Sequence, residues 1–314
     1  MDPSPTMPPT RRTRLRATRL DLGEVVRYWM DDECWAELPR LSRDLDERLA
    51  AADGWSRVEQ LGTGLAAPQQ DQLTGLLQLL GSAGLAVEGR PETTLGRVRI
   101  GLLGSGALAR GVATGLVRAG VRHLVCLDER PPDPMVWPGS RHGTGAAALA
   151  RSLRPRHGLV VSTSHGVAEL LDHGVDLVVV APGTVGVDRL LLAELVELGL
   201  GHLVLGCHGD VGTVGPLVLP GRTPCLQCHD LARAGRDSAR GAVLALLGST
   251  PARPHPSMAA AIASRCVLEV GWAARDLARA ERLAGVMEVH DLERPGTREL
   301  RFRAHPDCGC AWLP

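Results

Sequence analysis

Apolar positions follow two regimes along the chain. Before about residue 90 they come in short, interrupted groups, and from Leu95 onward continuous runs alternate regularly with helical stripes. In the first region Glu24–Met30 has β character, and Leu38, Leu41, Leu45 and Leu49 keep a helical spacing through an Arg/Asp/Glu-rich stretch. After Gly64, Pro68 suits the first turn of a helix, and Leu73, Leu76, Leu77 and Leu80 make an i, i+3, i+4, i+7 stripe that stops at Gly81, Ser82 and Gly84. Leu85–Glu88 reads as a short strand. Residues 1–15 alternate Pro, Thr and Arg with too little apolar material to repay ordering, and a disordered tail is expected there. Residues 16–90 suit either a small winged helix-turn-helix module or a helical extension of the following domain.

The second regime, residues 95–314, reads as α/β with a mostly parallel, Rossmann-like sheet. Val98–Leu103 is a buried-strand run, Gly104-Ser105-Gly106-Ala107-Leu108-Ala109 opens a helix reaching Ala119, and His123–Asp128 is a second strand ending in an acid. This is the first half of a dinucleotide fold. Gly104 permits a tight turn, Gly106 lets backbone approach a phosphate, Ala109 is small enough for helix against strand, and Asp128 can accept from a ribose hydroxyl. A turn needed only for packing is the competing reading. Helices are expected at Gly145–Leu153 and Asp188–Leu198, and strands at Gly158–Ser162, Val175–Val180 and His202–Leu205. A long Ala-rich helix, Met258–Leu283, precedes strands at Gly285–Leu292 and Arg298–Arg303 paired around a Pro295-Gly296 turn.

Composition narrows the chemistry. The 314 residues are 44% hydrophobic and 22% charged, with 35 basic against 35 acidic side chains, so no net field favours nucleic acid or membrane. No apolar run approaches the roughly 18 residues of a spanning helix, and a cytoplasmic protein is expected. All 35 basic residues are Arg; neither Lys nor Asn occurs. Of eight cysteines, Cys225 and Cys228 pair with Cys308 and Cys310 as two knuckles, a pattern that suits one tetrahedral structural zinc. A redox Cys-x-x-Cys would leave the second pair unexplained. His229 and His305 flank the knuckles as substitute ligands, while Cys34, Cys126, Cys207 and Cys266 are scattered and read as core or surface thiols.

Together the glycine turn, Asp128, the run Val214–Cys228 containing Pro220-Gly221-Arg222-Thr223-Pro224-Cys225, and His305-Pro306-Asp307-Cys308-Gly309-Cys310 resemble the ThiF-like proteins of ribosomal peptide biosynthesis. More narrowly they are similar to the leader-peptide-binding partners of thiazole/oxazole-forming YcaO cyclodehydratases. The resemblance covers residue 95 to the end and implies a winged-helix peptide-recognition element at the N-terminus. A homodimer is compatible with it. Active ThiF-like proteins adenylate a carboxylate with Mg-ATP through a Gly-x-Gly-Gly-x-Gly turn, an Asp-x-Asp with a following Ser-Asn-x-x-Arg-Gln stretch, a Lys and a later Asp. Here Ala107 and Ala109 replace two of those glycines, Glu129-Arg130-Pro131-Pro132-Asp133-Pro134 follows Asp128, and Gly183 falls where the magnesium carboxylate belongs. A chain without Lys or Asn lacks the usual ammonium and amide, and Arg supplies charge without either geometry. Vestigial nucleotide contacts at Gly104, Gly106, Ala109 and Asp128, without ATP as a cofactor, are therefore expected.

Three functional classes compete. The first is a scaffold that captures a precursor's leader segment and presents its core to a separate YcaO-type cyclodehydratase. In it, Val25, Val26 and Tyr28 form an edge strand to which the peptide adds, and Leu73, Leu76 and Leu77 line the groove. The second is an enzyme, either a divergent ATP-dependent adenylyltransferase or an NAD-dependent oxidoreductase. The third, a DNA-binding regulator, is disfavoured because the candidate recognition helix begins Gln69-Gln70-Asp71-Gln72 and carries no Arg.

Overall fold

The computed structural model describes residues 12–88, 95–140, 142–153, 158–275 and 281–310. The chain divides into two compact units, Met1–Thr93 and Thr94–Pro314.

In the first unit, β1 (Arg12–Leu15), β2 (Thr18–Asp21), β3 (Val25–Trp29) and β4 (Trp35–Pro39) precede α1 (Arg43–Ala50), β5 (Asp53–Arg57), α2 (Val58–Leu61), α3 (Ala67–Ser82) and β6 (Ala86–Glu88). The strands form two three-stranded antiparallel sheets, β5-β1-β6 and β2-β3-β4. Period-two burial in β3 turns Val26 and Tyr28 inward, where Leu45 and Leu49 of α1 and Leu73, Leu77 and Leu80 of α3 complete the core. Arg19 on β2 clamps Asp46 of α1 through two bonds of 2.7 and 2.6 Å, pinning helix to sheet.

Four expectations are corrected here. Arg12–Leu15 is ordered as the central strand of its sheet, because ladder bonds on both sides compensate for its low apolar content; residues 1–11 lie outside the described residues. Val25, Val26 and Tyr28 do not form an edge: β3 is hydrogen-bonded to β2 and β4. Val26, Tyr28, Leu73 and Leu77 fill the unit's own core, with Leu76 packed against it, so these residues line no open groove. Leu38 belongs to β4 rather than to a helix, since a residue preceding proline is pushed to extended backbone and Pro39 follows.

The second unit runs β7 (Arg99–Leu103), α4 (Ala107–Arg118), β8 (His123–Leu127), α5 (Gly145–Ser152), β9 (Val160–Thr163), α6 (Glu169–Asp172), β10 (Leu177–Val180), α7 (Arg189–Glu197), β11 (His202–His208), β12 (Val211–Val218), α8 (Leu226–Ala234), α9 (Arg240–Ser249), α10 (Pro256–Ala273), β13 (Val286–Asp291) and β14 (Arg294–Arg301). One eight-stranded sheet has the order β14-β13-β12-β11-β10-β7-β8-β9. The five strands from β11 to β9 are parallel, and β12, β13 and β14 add antiparallel. The central strands read as unbroken apolar runs because both faces are covered. Ile100, Leu102 and Leu124 pack with residues of α4, α5 and α10, while Leu103, Val125 and Val178 pack with Leu192 and Leu195 of α7.

Here too the chain departs from its patterns. The long helix ends at Ala273, and residues 276–280 lie outside the described residues. Pro295 and Gly296 are not the hairpin turn but the second and third residues of β14, with the reversal at Leu292-Glu293. β14 is the last strand of the sheet and is exposed at nearly every residue. An edge position tolerates a proline because one side of the strand has no ladder to satisfy.

Candidate functional site at the switch point and the cysteine cluster

Strand order reverses at β7, which has β8 on one side and β10 on the other. Ligands of open α/β sheets bind in the crevice outside the carboxyl ends of strands at such a point. A pocket of about 400 Å³ opens there, lined by Gly104, Asp128, Arg130, His165, Pro182 and Glu194 among others. Gly104 has φ +115°, and a Cβ on it would lie 2.0 Å from the Ala181 carbonyl oxygen. A Cβ on Gly106 would lie 3.1 Å from the Gly183 Cα. Both glycines thus have a packing reason, the close approach of the loop after β10. Ala109 is fully buried where α4 meets the sheet.

Asp128, at the end of β8, is buried and spent within the chain. Its Oδ2 accepts from the Ser105 hydroxyl at 2.7 Å, and the Arg130 fork donates to Oδ1 at 2.8 Å and Oδ2 at 3.0 Å. The Arg130 backbone N–H adds a bond to Oδ1 at 3.2 Å. That carboxylate holds the Arg130 guanidinium firmly protonated, against the opposing effect of burial. Trp137 closes the same corner, its indole N–H donating to the Ser105 carbonyl at 2.8 Å. α5 starts directly above: a Cβ on Gly145 would meet Ser105 Oγ at 2.1 Å. Arg130 also fills the position facing Gly183, whose added Cβ would lie 3.4 Å from Nη2. Ser105, Arg130 and Trp137 were not singled out from the sequence. Only the adjacency of Ser105 to the glycine turn and of Arg130 to Asp128 could have pointed to two of them.

The cysteine cluster lies at the opposite end of the sheet, where Val218 closes β12 against His202 at the start of β11. Thr223 folds the following turn, its hydroxyl donating to the Leu217 carbonyl and accepting from the Leu219 N–H at 2.7 Å. This delivers Cys225 as the N-cap of α8 and Cys228 into its first turn. Cys310 is held alongside by its carbonyl, which accepts from the Gly221 N–H. All four cysteines are buried and free of disulfides, and their sulfurs lie within 4.8 Å of one another. Cys225 is 4.0 Å from Cys228 and 3.4 Å from Cys308, and Cys228 is 3.3 Å from Cys310. A tetrahedral site with metal–sulfur bonds of about 2.3 Å needs sulfurs about 3.8 Å apart, so the four can hold one metal ion. Burial pushes the Cys310 thiol up to about 11 and raises Cys308 as well. Removing the protons of these two thiols calls for a cation, as metal binding supplies. His229 and His305 are outside the four-atom group; His229 lies edge-on to Phe302 and near Asp230. The other buried thiols stay inert, since desolvation pushes Cys126 and Cys266 up to about 12 and Cys207 up to about 11.

Beside the cluster, Asp230 ties α8 to its neighbours through Arg189 and Arg240, each at 2.6 Å. Burial works to raise its carboxyl, but the nearby His229 ring and the hydrogen bonds from Arg189 and Arg240 hold it well below the usual range.

Comparison with solved structures bears on both sites. No protein family matches this sequence, and no curated protein does. The structure of MccB, a microcin C7 biosynthetic enzyme, in complex with N-formylated MccA is similar at a TM-score of 0.60 and 14% identity, covering 95% of this chain and 99% of that one. E. coli MccB with AMPCPP and MccA gives 0.59 and 13% over the same shares. The heterocyclase TruD gives 0.59 and 16%, covering 96% of this chain but 43% of that one. At these identities the likeness defines a fold: the chain has the MccB architecture along nearly its whole length. Among the described residues no helix is long and apolar enough to cross a membrane.

Proposed function

We propose that this chain is a leader-peptide-binding scaffold that presents a ribosomally made precursor to a separate YcaO-type cyclodehydratase for azoline formation. The observation that carries the reading is the internal occupation of Asp128. The carboxylate placed to accept ribose hydroxyls is already saturated by Ser105 and Arg130. Arg130 also stands against Gly183, so a magnesium ion there would face a guanidinium in place of a carboxylate. Adenylation depends on several preorganised contacts acting together, and this crevice offers few of them. The MccB likeness extends through the first unit, and MccB has been solved with the peptide MccA. The heterocyclase TruD shares the fold over 43% of its own length.

In this reading the N-terminal unit is a winged-helix-like module, with α2 and α3 as the helix-turn-helix, and the peptide adds as a strand to the free edge of β4. The start of β4 touches the end of α3, where the Cys34 thiol donates to the Ala83 carbonyl at 3.4 Å. Leu79 of α3 is 51% exposed and Trp35 on β4 is 47% exposed, giving the added strand apolar side-chain contacts. The cysteine cluster carries a structural zinc. The test is titration of the precursor encoded beside this gene against the full chain and its Leu79→Asp variant. We expect binding that weakens at least about tenfold in the variant, as loss of a buried apolar contact implies. No binding to any neighbouring precursor removes the scaffold; equal affinity in the variant moves the site away from β4 and α3.

A divergent adenylyltransferase is the second reading, favoured by the 400 Å³ crevice at the switch point and by the structure of E. coli MccB with ATP. ATP–pyrophosphate exchange at ordinary enzyme rates, lost in Asp128→Ala, would establish it.

A further inference from the structure

β4 is hydrogen-bonded to β3 on one side only, and the ladder fixes which of its backbone groups are left over. The Met30 N–H donates to the Cys34 carbonyl at 3.0 Å and the Arg40 N–H to the Glu24 carbonyl at 3.1 Å, so Cys34 and Arg40 face β3. The period of two gives Ala36 and Leu38 the same direction and turns the N–H and C=O groups of Trp35 and Glu37 to the open side. Pro39 adds a carbonyl but no N–H. A strand bonded along Trp35 and Glu37 therefore stops at Pro39 and runs, at its other end, past the turn Asp31-Asp32-Glu33. That end is negative twice over. Asp31, Asp32 and Glu33 are exposed, and among the described residues no arginine is bonded to them. α3 closes at the same place, with the Cys34 thiol on the Ala83 carbonyl, and its last turn carries no basic residue. A helix C-terminus is equivalent to roughly half a negative charge.

We propose that the peptide segment taken by this edge is basic and alternating, with apolar side chains at every second position turned toward α3 and Lys or Arg at the end beside Asp31–Glu33. The inference rests on the reading of β4 as the peptide's edge and adds the charge of what binds there. Main-chain bonds give such an edge affinity without sequence preference, so side chains and charge must choose the peptide. On the inward face, Cys34 and Ala36 pack against the unit's core, which leaves an apolar border for the added strand. Opposite charges across a strand pair are favourable and like charges directly opposite are not. The arginines nearest the edge do not reverse its sign. Arg27 donates twice to Glu37 Oε1, at 2.9 and 2.5 Å, and Arg40, beyond Pro39 at the far end, donates to the Gly23 carbonyl at 3.0 Å and to Asp21 at 3.5 Å. An acidic segment would meet the carboxylates and the helix end with no cation to offset either.

The labelled precursor encoded beside this gene is titrated against the full chain, and hydrogen exchange of the bound precursor marks the segment that adds. We expect that segment to carry Lys or Arg at one end, and its affinity to fall about tenfold or more between about 0.1 M and about 1 M NaCl, as the screening length shortens from about 10 to about 3 Å. Asp32→Lys with Glu33→Lys, at exposed turn positions, should weaken binding about tenfold. Asp172→Lys with Glu293→Lys, the same change in net charge at exposed positions of the second unit, should leave it unchanged. A precursor whose basic residues in the protected segment are changed to Glu should lose affinity for the wild type and regain it with the Asp32→Lys, Glu33→Lys variant. Binding that Leu79→Asp weakens but Asp32→Lys with Glu33→Lys leaves unchanged overturns the charge assignment and keeps the edge, and so does a protected segment that is acidic. Absence of binding to the wild type, or binding that Leu79→Asp leaves equal, overturns the reading of the edge and this inference with it.

Discussion

The crevice after β7 and the cysteine cluster after β12 sit at opposite ends of one sheet and were made specific in opposite ways. At the cluster, side chains from positions more than 80 residues apart bring four like ligand atoms around one point, where a metal ion can bind them. At the crevice, side chains within 25 residues of one another converge on Asp128 and complete it without any ligand. A shared fold therefore says little about occupancy. What decides it is whether the convergent groups are chemically alike and need a counterion, or complementary and satisfy each other.

The largest expected effect tests the cluster's half of this contrast. Cys228→Ser should lose the metal and destabilise the second unit by on the order of 5 kcal/mol or more, since binding energy there is folding energy. Urea unfolding with and without chelator measures it, and a chelator-insensitive wild type would contradict the metal assignment. Next comes His202, close to the same end of the sheet. Its folded ring stays neutral down to about 4, whereas an unfolded histidine titrates near 6.5. The unfolded chain therefore takes up the proton first. Stability is full above about pH 6.5 and falls by up to about 3 kcal/mol as the pH drops toward 4. His202→Leu should flatten the unfolding free energy across that window; an unchanged slope would assign the acid sensitivity to other groups.

At the crevice the effects should be smaller. Asp128→Ala leaves the buried Ser105 hydroxyl unpaired, but Arg130 is half exposed and can turn to water. A loss of about 1–3 kcal/mol is expected, measured by the same unfolding curves, and a neutral result would mean that the clamp is idle. Ser105→Ala removes one hydrogen bond and should cost about 1 kcal/mol. If either variant gains affinity for ATP in a fluorescence titration, the crevice is blocked by its own residues rather than lacking the means to bind.

How much of this was legible follows from the same distinction. The cysteine pairs announce themselves because four soft ligands in two knuckles have few other uses, and the strand-turn-helix of Leu103 to Ala109 is set by local backbone demands. The Arg130 clamp was not legible, since nothing in an Arg two residues after an Asp says that its fork will fold back instead of meeting a phosphate. β3 was misread as an edge because strand character is local while neighbour count is tertiary. β2 and β4, which enclose it, carry Arg19, Asp21 and Glu37 and no clear apolar alternation. Pro295 misled for a related reason: proline punctuates most strands, and only an edge position excuses it.

That edge has a consequence for behaviour at high concentration. β14 leaves eight residues of backbone at the end of an open sheet, a template on which a second chain could extend the ladder. Three arginines, two of them directly flanking Glu299 and Leu300, and a proline that offers no N–H make this border a poor seed for fibres. Replacing Arg298 and Arg301 with valine would leave the native contacts of the core intact, and would turn the same border from a guarded margin into a growing end.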